Sequence, residues 1–245
     1  MRIFTIVTTL ILLAVPAFAQ DTTVPCKAED KACLMDQLES ITGQIDEQDW
    51  KDQTYREIAK LLVHEKQNER AIGLIAKIKS PDKKAMTIRG IGMEAAKMEL
   101  KREEYDALFK SLRAEAEKID YPPSYAIALN YIADAQAQSG DDDAAMKTAL
   151  GMENDEMRNK ALYDCAKIQA DRDDLDHAKA SIAAIDNPGF RDKGYRDISK
   201  IFADNKKYDH ALGAASAIDN SYQKAQSVLY ILAKQITPEE VSLVE

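Results

Sequence analysis

No stretch of this 245-residue chain alternates apolar and polar residues for the length of a strand, and no Asn-Gly pair marks a hairpin. Sheet architectures are excluded on that ground. A glycine-rich phosphate loop and the His-Glu-x-x-His zinc pattern are both missing. No basic tract or arginine-rich arm is present, and the formal net charge of −9 gives an average field that repels nucleic acid and anionic lipid. Beyond the first sixteen residues nothing is apolar for long enough to suggest a membrane span, which needs roughly 18 residues.

The exception at the start has its own grammar. Met1-Arg2 supplies one positive charge, Ile3 to Val15 a short apolar run, and Pro16-Ala17-Phe18-Ala19 a small-x-small cleavage site. Charge, apolar core and small residues in that order predict a secretory signal peptide over residues 1–19. The competing reading is an uncleaved N-terminal anchor. No cysteine follows Ala19 directly, and Cys26 stands behind Pro25, which argues against a lipid anchor. The expected compartment is the periplasm, with secretion as the alternative.

Three cysteines remain, Cys26, Cys33 and Cys165. An oxidising compartment permits a bridge, and Cys26 and Cys33 are the pair close in sequence. Seven residues of continuous helix would hold their Cα atoms about 10.5 Å apart, beyond the roughly 7 Å limit for a disulfide. The bond therefore requires Cys26 to precede the helix, with Asp30 as the candidate N-cap. Two free thiols at a frayed end are the other reading.

What the chain does have is an internal repeat. Lys167-Ile168-Gln169-Ala170-Asp171 through His177-Ala178 returns as Lys200-Ile201-Phe202-Ala203-Asp204 through His210-Ala211, an offset of 33. Taking an alanine as anchor gives Ala71, Ala107, Ala145, Ala178 and Ala211. Twelve residues before each stand Ala59, Ala95, Ala133, Ala166 and Ser199, and sixteen before stand Tyr55, Ile91, Leu129, Leu162 and Tyr195. Small and large residues thus alternate at helical spacing across two helices. Gln138-Ser139-Gly140-Asp141 predicts a turn inside a pair, with Gly140 ending one helix and Asp141 capping the next. Ser80-Pro81-Asp82, Tyr121-Pro122-Pro123-Ser124 and Asn187-Pro188-Gly189 separate one pair from another. One hairpin cannot bury both of its apolar faces, so neighbours must stack.

On those anchors the chain resembles the tetratricopeptide repeat family, over roughly residues 52–235. Tyr195 matches the family's early aromatic, Ala133 its small residue, and Ala145, Ala178 and Ala211 the alanine of its second helix. The second repeat departs from the pattern: Glu94 takes an apolar place, and the helix from about Glu103 to Ile119 is a turn longer. The resemblance implies an all-α fold, an α-α superhelix or solenoid of about five helix-turn-helix repeats. An N-terminal half-repeat would lie within residues 20–50, the repeat domain over 51–236 with a capping last helix, and a tail over 237–245.

Candidate chemistry is sparse. Ser80-Pro81-Asp82-Lys83 and Ser221-Tyr222-Gln223-Lys224 match Ser-x-x-Lys, but both fall at repeat boundaries and the companion motifs are absent. His177 and His210 occupy equivalent places and read as a duplicated exposed histidine. Asp141-Asp142-Asp143 and Asp171-Arg172-Asp173-Asp174 lack the glycine and late glutamate of a calcium loop, and read as helix caps. Cys165 aligns with Ile58, Ile132 and Ile198 and reads as a packed residue, and Trp50 as a packing plug before the first full repeat. No catalytic residue, metal or cofactor is predicted, and the chain is read as a non-enzyme.

The family's first helices line a concave surface. Its inward positions, carried across, read Gln53, Arg56, Lys60; Arg89, Gly92, Ala96; Ile127, Asn130, Asp134; Lys160, Tyr163, Lys167; Lys193, Arg196, Lys200. Eight of these are basic and only Asp134 is acidic, so the wall should concentrate a positive potential. Arg56, Lys60, Arg89, Asn130, Lys160, Tyr163, Lys167, Lys193, Arg196 and Lys200 are the candidate protein-binding residues. The expected partner is another protein or peptide, as an acidic segment or a C-terminus, and not nucleic acid. A small-molecule or lipid carrier is the alternative function.

Overall fold

The computed structural model describes residues 26–238; the signal peptide expected over residues 1–19 and most of the tail expected over 237–245 lie outside the described residues. Among the described residues the chain is all-α, with twelve α-helices, one 3-10 turn and no strand. They are α1 (Lys31–Gly43), α2 (Gln48–His64), α3 (Asn68–Gly73, continued by the 3-10 turn Leu74–Lys77), α4 (Pro81–Ala96), α5 (Arg102–Ala116), α6 (Pro122–Gln138), α7 (Asp142–Leu150), α8 (Asp155–Asp171), α9 (Leu175–Ala183), α10 (Pro188–Asp204), α11 (Tyr208–Ala215) and α12 (Ser221–Ile236). No described helix is long and apolar enough to cross a membrane.

Long first helices alternate with shorter second ones. Each first helix packs on its own second helix and on the next first helix, in the series α2, α4, α6, α8, α10, α12. Pro81, Pro122 and Pro188 stand in the first turn of α4, α6 and α10, where a missing N–H costs nothing. Asn154, Asn187 and Asn220 cap α8, α10 and α12 through bonds of 2.8–3.0 Å to the backbone three residues on. Inside every pair except α4–α5 the first helix closes with a left-handed residue: Lys66, Gly140, Asp173 and Lys206, at φ of 58°, 80°, 66° and 61°. The next N–H then reaches back to the helix, as from Asp141 to Gln136, Asp174 to Gln169 and Lys207 to Phe202. Buried Asp52 and Asp192 receive the backbone N–H groups of the turns at Lys79-Ser80 and Asp219-Asn220. This ties the start of a first helix to the exit from its second.

The small-residue column is where first helices meet. Ala59, Ala133, Ala166 and Ser199 are essentially inaccessible. The second repeat needs a correction. First helices begin at 48, 81, 122, 155, 188 and 221, so every repeat is 33 residues long except the second, which is 41. Gly92, not Ala95, therefore aligns with Ala59, and a Cβ on it would lie 2.9 Å from that of Ala135. Ala107 is exposed and Tyr105 holds the buried anchor place. The expected alignment slid by a turn because the added residues lie between α4 and α6 and carry a tyrosine where the other repeats have alanine.

The two ends also differ. Asp30 caps α1 by accepting from the Cys33 N–H at 3.0 Å, Cys26 lies before the helix, and Cys26 and Cys33 are bridged. Arg70 ties α1 to α3 through Asp36 and Glu39, each at 2.5 Å. Trp50, expected as a plug, is 62% exposed on the first turn of α2. The Tyr55 side chain, one turn further along, fills the buried place instead. On α12 the small-residue column ends in Leu232, which with Leu229 and Ile236 stays exposed. That bulk prevents a further helix from packing at the same close distance.

Candidate functional site

With the alignment corrected, one face of the first-helix layer carries three columns. They are Gln53, Met86, Ile127, Lys160, Lys193; Arg56, Arg89, Asn130, Tyr163, Arg196; and Lys60, Met93, Asp134, Lys167, Lys200. Gly92 and Ala96 leave the set, because Gly92 is buried against α6. All eight basic residues remain.

The face is less positive than those columns suggest. The residue following the central column is Glu57 in α2, Asp164 in α8 and Asp197 in α10. Glu57 lies 2.8 Å from Arg56 and 2.5 Å from Lys60, and the Lys60 bond is the main cause that holds its carboxyl below the usual range. Lys160 pairs with Asp164. Arg196 Nε sits 3.5 Å from Asp197 Oδ1. Sequence reasoning missed these three carboxylates because it read three columns only. At 100° per residue the neighbouring position still borders the same face.

Four cations on this face make no ion pair among the described residues: Arg89, Lys167, Lys193 and Lys200. Each lies over an aromatic ring. Arg89 is 5.3 Å from the centre of Tyr131, Lys167 is 5.5 Å and Lys193 5.2 Å from that of Tyr163, and Lys200 is 5.0 Å from that of Tyr230. Tyr163 stacks on Phe190 at 5.1 Å and donates to Asp197 at 2.7 Å, so its ring is fixed between two lysines. Burial first, and then that bond, push the Tyr163 phenol well above its usual range. The ring is therefore a neutral platform at physiological pH. An ammonium over a ring keeps N–H groups free for an anion, which is what paired lysines lack.

Asn130 is not the surface contact expected of it. It is 2% exposed, and its amide N–H donates to Asp134 at 3.1 Å and to Asp164 at 3.4 Å. Asp134 is partly buried, and burial followed by the nearby Asp164 charge raises its carboxyl to about 7, against the pull of Lys160 and Arg89. One oxygen each of Asn130 and Asp134 is buried without a hydrogen bond.

The remaining candidates are structural. His177 and His210 are partly buried rather than exposed, bonded to Asp174 at 2.8 Å and Asp173 at 3.0 Å. Asp141 and Asp174 cap their helices as expected. Asp142 does something else: it is buried and held by both terminal nitrogens of Arg172 and by the Gln169 amide. Asp142, Asp174 and His177 bring ligand-type atoms within 4.8 Å of one another. A cation there would have to displace the Arg172 guanidinium, so the group reads as an ion-pair network. Cys165 is fully buried, and burial raises its thiol well above the usual range.

No family model matches this chain, and no curated protein matches it. Among solved structures, Ton1535 from Thermococcus onnurineus NA1 is similar at a TM-score of 0.35 and 17% identity, over 78% of this chain. This chain spans 61% of the length of that protein.

Proposed function

We propose that the protein is an exported, non-catalytic repeat protein of the tetratricopeptide type, and that it binds an acidic segment or C-terminus of another protein. The helices form a solenoid, and the first-helix face is its concave wall. The observation that carries this reading is the set of four cations without carboxylate partners on that face. Two of them flank the fixed ring of Tyr163. Recognition then centres on α8 and α10, where Lys167, Lys193 and Lys200 contact carboxylates by charge-assisted hydrogen bonds while Tyr163 takes an apolar side chain. Arg56 and Lys60 of α2 share the single carboxylate of Glu57, which offsets one of their two charges, so α2 contributes less to recognition than α8 and α10. The bridge between Cys26 and Cys33 suits an oxidising compartment, in keeping with the leader.

The experiment places a photo-crosslinking residue at Lys193, recovers the captured protein from intact cells, and measures its binding to the purified chain. Lys167→Glu, Lys193→Glu and Lys200→Glu together should weaken binding at least tenfold, with the loss shrinking at high salt. A triple variant of unchanged circular dichroism that binds as tightly as the native chain rejects the proposal.

A further inference from the structure

The repeat is regular enough that one broken equivalence stands out. In α8 the buried Gln169 accepts from Ser181 of α9 at 2.8 Å, and its amide N–H donates to Asp142 at the start of α7 at 2.9 Å. One repeat earlier, in α6, Gln136 accepts from Thr148 of α7 at 2.7 Å, which is the same bond. The equivalent of Asp142 would come from the start of α5, where Arg102 stands instead. A groove of about 560 Å³ lies between α5 and α7. Gln136 is 8% exposed, lines that groove, and its amide nitrogen has no hydrogen-bond partner among the described residues. The amide carbonyl faces Thr148 in the orientation that Gln169 takes one repeat later, where the Asp142 carboxylate requires the amide nitrogen on its side.

The rest of the lining has a definite chemistry. Phe109 of α5 and Ile132 of α6, both nearly inaccessible, form an apolar floor. Lys110 and Lys147 stand on opposite walls with no carboxylate partner among the described residues, and Arg113, also on the wall, is shared with Glu117 at 3.2 Å. Two carboxylates also line the groove. Asp141 is already paired with Arg102 at 2.8 Å, and Asp106 makes no ion pair among the described residues. The volume falls within the roughly 300–1,000 Å³ of small-molecule sites.

We infer that this groove binds a small organic carboxylate with an apolar body. Its carboxylate accepts from the Gln136 amide in the place Asp142 takes one repeat later, and its hydrocarbon lies on Phe109 and Ile132. Lys110 and Lys147 supply the neutralising charge. An amide N–H that opens into the groove with no protein acceptor can take one from a ligand, and an anionic acceptor is the stronger partner. The groove opens on the side of α6 opposite to Asn130 and Asp134, because residues 132 and 136 lie about half a turn from residues 130 and 134 on a helix. It is therefore independent of the protein-binding face and can stand if that face fails.

The test uses octanoate as probe on the purified, isotope-labelled full chain, with octanol and octylamine as controls. The side-chain amide signal of Gln136, assigned by its loss in Gln136→Met, should shift saturably with octanoate and far less with either control. Lys110→Glu with Lys147→Glu changes only surface charge and should weaken octanoate at least tenfold, the loss of one or more charge-assisted contacts. The face variant Lys167→Glu should bind octanoate unchanged. An unmoved Gln136 signal, equal binding of octanol or octylamine, or full affinity in the doubly reversed variant would each overturn the inference.

Discussion

Asp134→Asn should make this protein more stable, and more so as the pH rises. The folded environment raises the Asp134 carboxyl from 3.8 to about 7, chiefly through burial and secondly through Asp164. Three pKa units correspond to about 4 kcal/mol of preference for the protonated form. The side chain is only partly buried, and that figure is a ceiling; about 1–3 kcal/mol is the reasonable expectation at pH 8. The sign follows from linkage. Between pH 4 and 7 the folded state binds a proton that the unfolded state has released, so stability falls as pH rises through that window. Asparagine keeps the shape and an oxygen for the Asn130 amide, and it carries no charge to be repelled by Asp164. Urea unfolding at pH 5, 6, 7 and 8 is the assay. The native chain should lose stability relative to the variant across the series, with the gap widest at pH 8. A variant less stable than the native chain at pH 8, or a gap of the same size at every pH, refutes the reasoning.

Glycine-to-alanine substitutions should split in sign by position. Gly92→Ala pushes a Cβ to 2.9 Å from that of Ala135, which has no rotamer to yield, and should cost about 1–3 kcal/mol in thermal or urea unfolding. Gly73→Ala meets nothing within 4 Å and should stabilise by about 0.4–1 kcal/mol in the same assay. Lys206→Gly relieves a left-handed residue at φ 61° and should stabilise by about 1 kcal/mol, read as a shift in urea midpoint at constant slope. Cys165 should stay unmodified by a thiol reagent in the folded protein and react fully once urea unfolds it.

The regular part of this fold was legible because its determinants are local and repeated. Ala133, Ala166 and Ser199 recur at one spacing, and Gly140 and Asp141 mark a turn whose chemistry needs no tertiary information. The bridge was legible through Asp30, since a cap there leaves Cys26 outside the helix. The second repeat was not, because Tyr105 replaces the anchor alanine and nothing in the sequence says where extra length is absorbed. Ala107 then takes the anchor's place in any reading that trusts composition. The site was half legible. Its lysines and arginines were found, but a charge counts only with its neighbours. Glu57, Asp164 and Asp197 lie one residue beyond the columns that were read. Asn130 shows the same limit, since only packing reveals that its amide is spent on Asp134 and Asp164.

Repetition makes the departures informative. Where Gln169 and Gln136 make the same bond to the next helix but only one finds a carboxylate, the difference cannot come from intrinsic propensity, since the two side chains and their helices are alike. It comes from the start of α5, where Arg102 stands in the place of Asp142 and pairs with Asp141 instead. The same comparison separates Lys60, held by Glu57, from Lys167 and Lys200, which stand in the same column over aromatic rings. A carboxylate bonded to a column member, as Glu57 is to Lys60, marks charge committed to the fold; Asp164 and Asp197 stand at the same place before Lys167 and Lys200 but are taken by Lys160 and by Tyr163 and Arg196, which leaves those two lysines for a ligand. Introducing that carboxylate should convert one into the other. Tyr230→Glu, at the place in α12 that aligns with Glu57, should pair with Lys200 and weaken binding of the acidic partner while leaving octanoate binding in the α5–α7 groove untouched. If partner affinity is unchanged with Lys200 so neutralised, the free cations do not define the binding face.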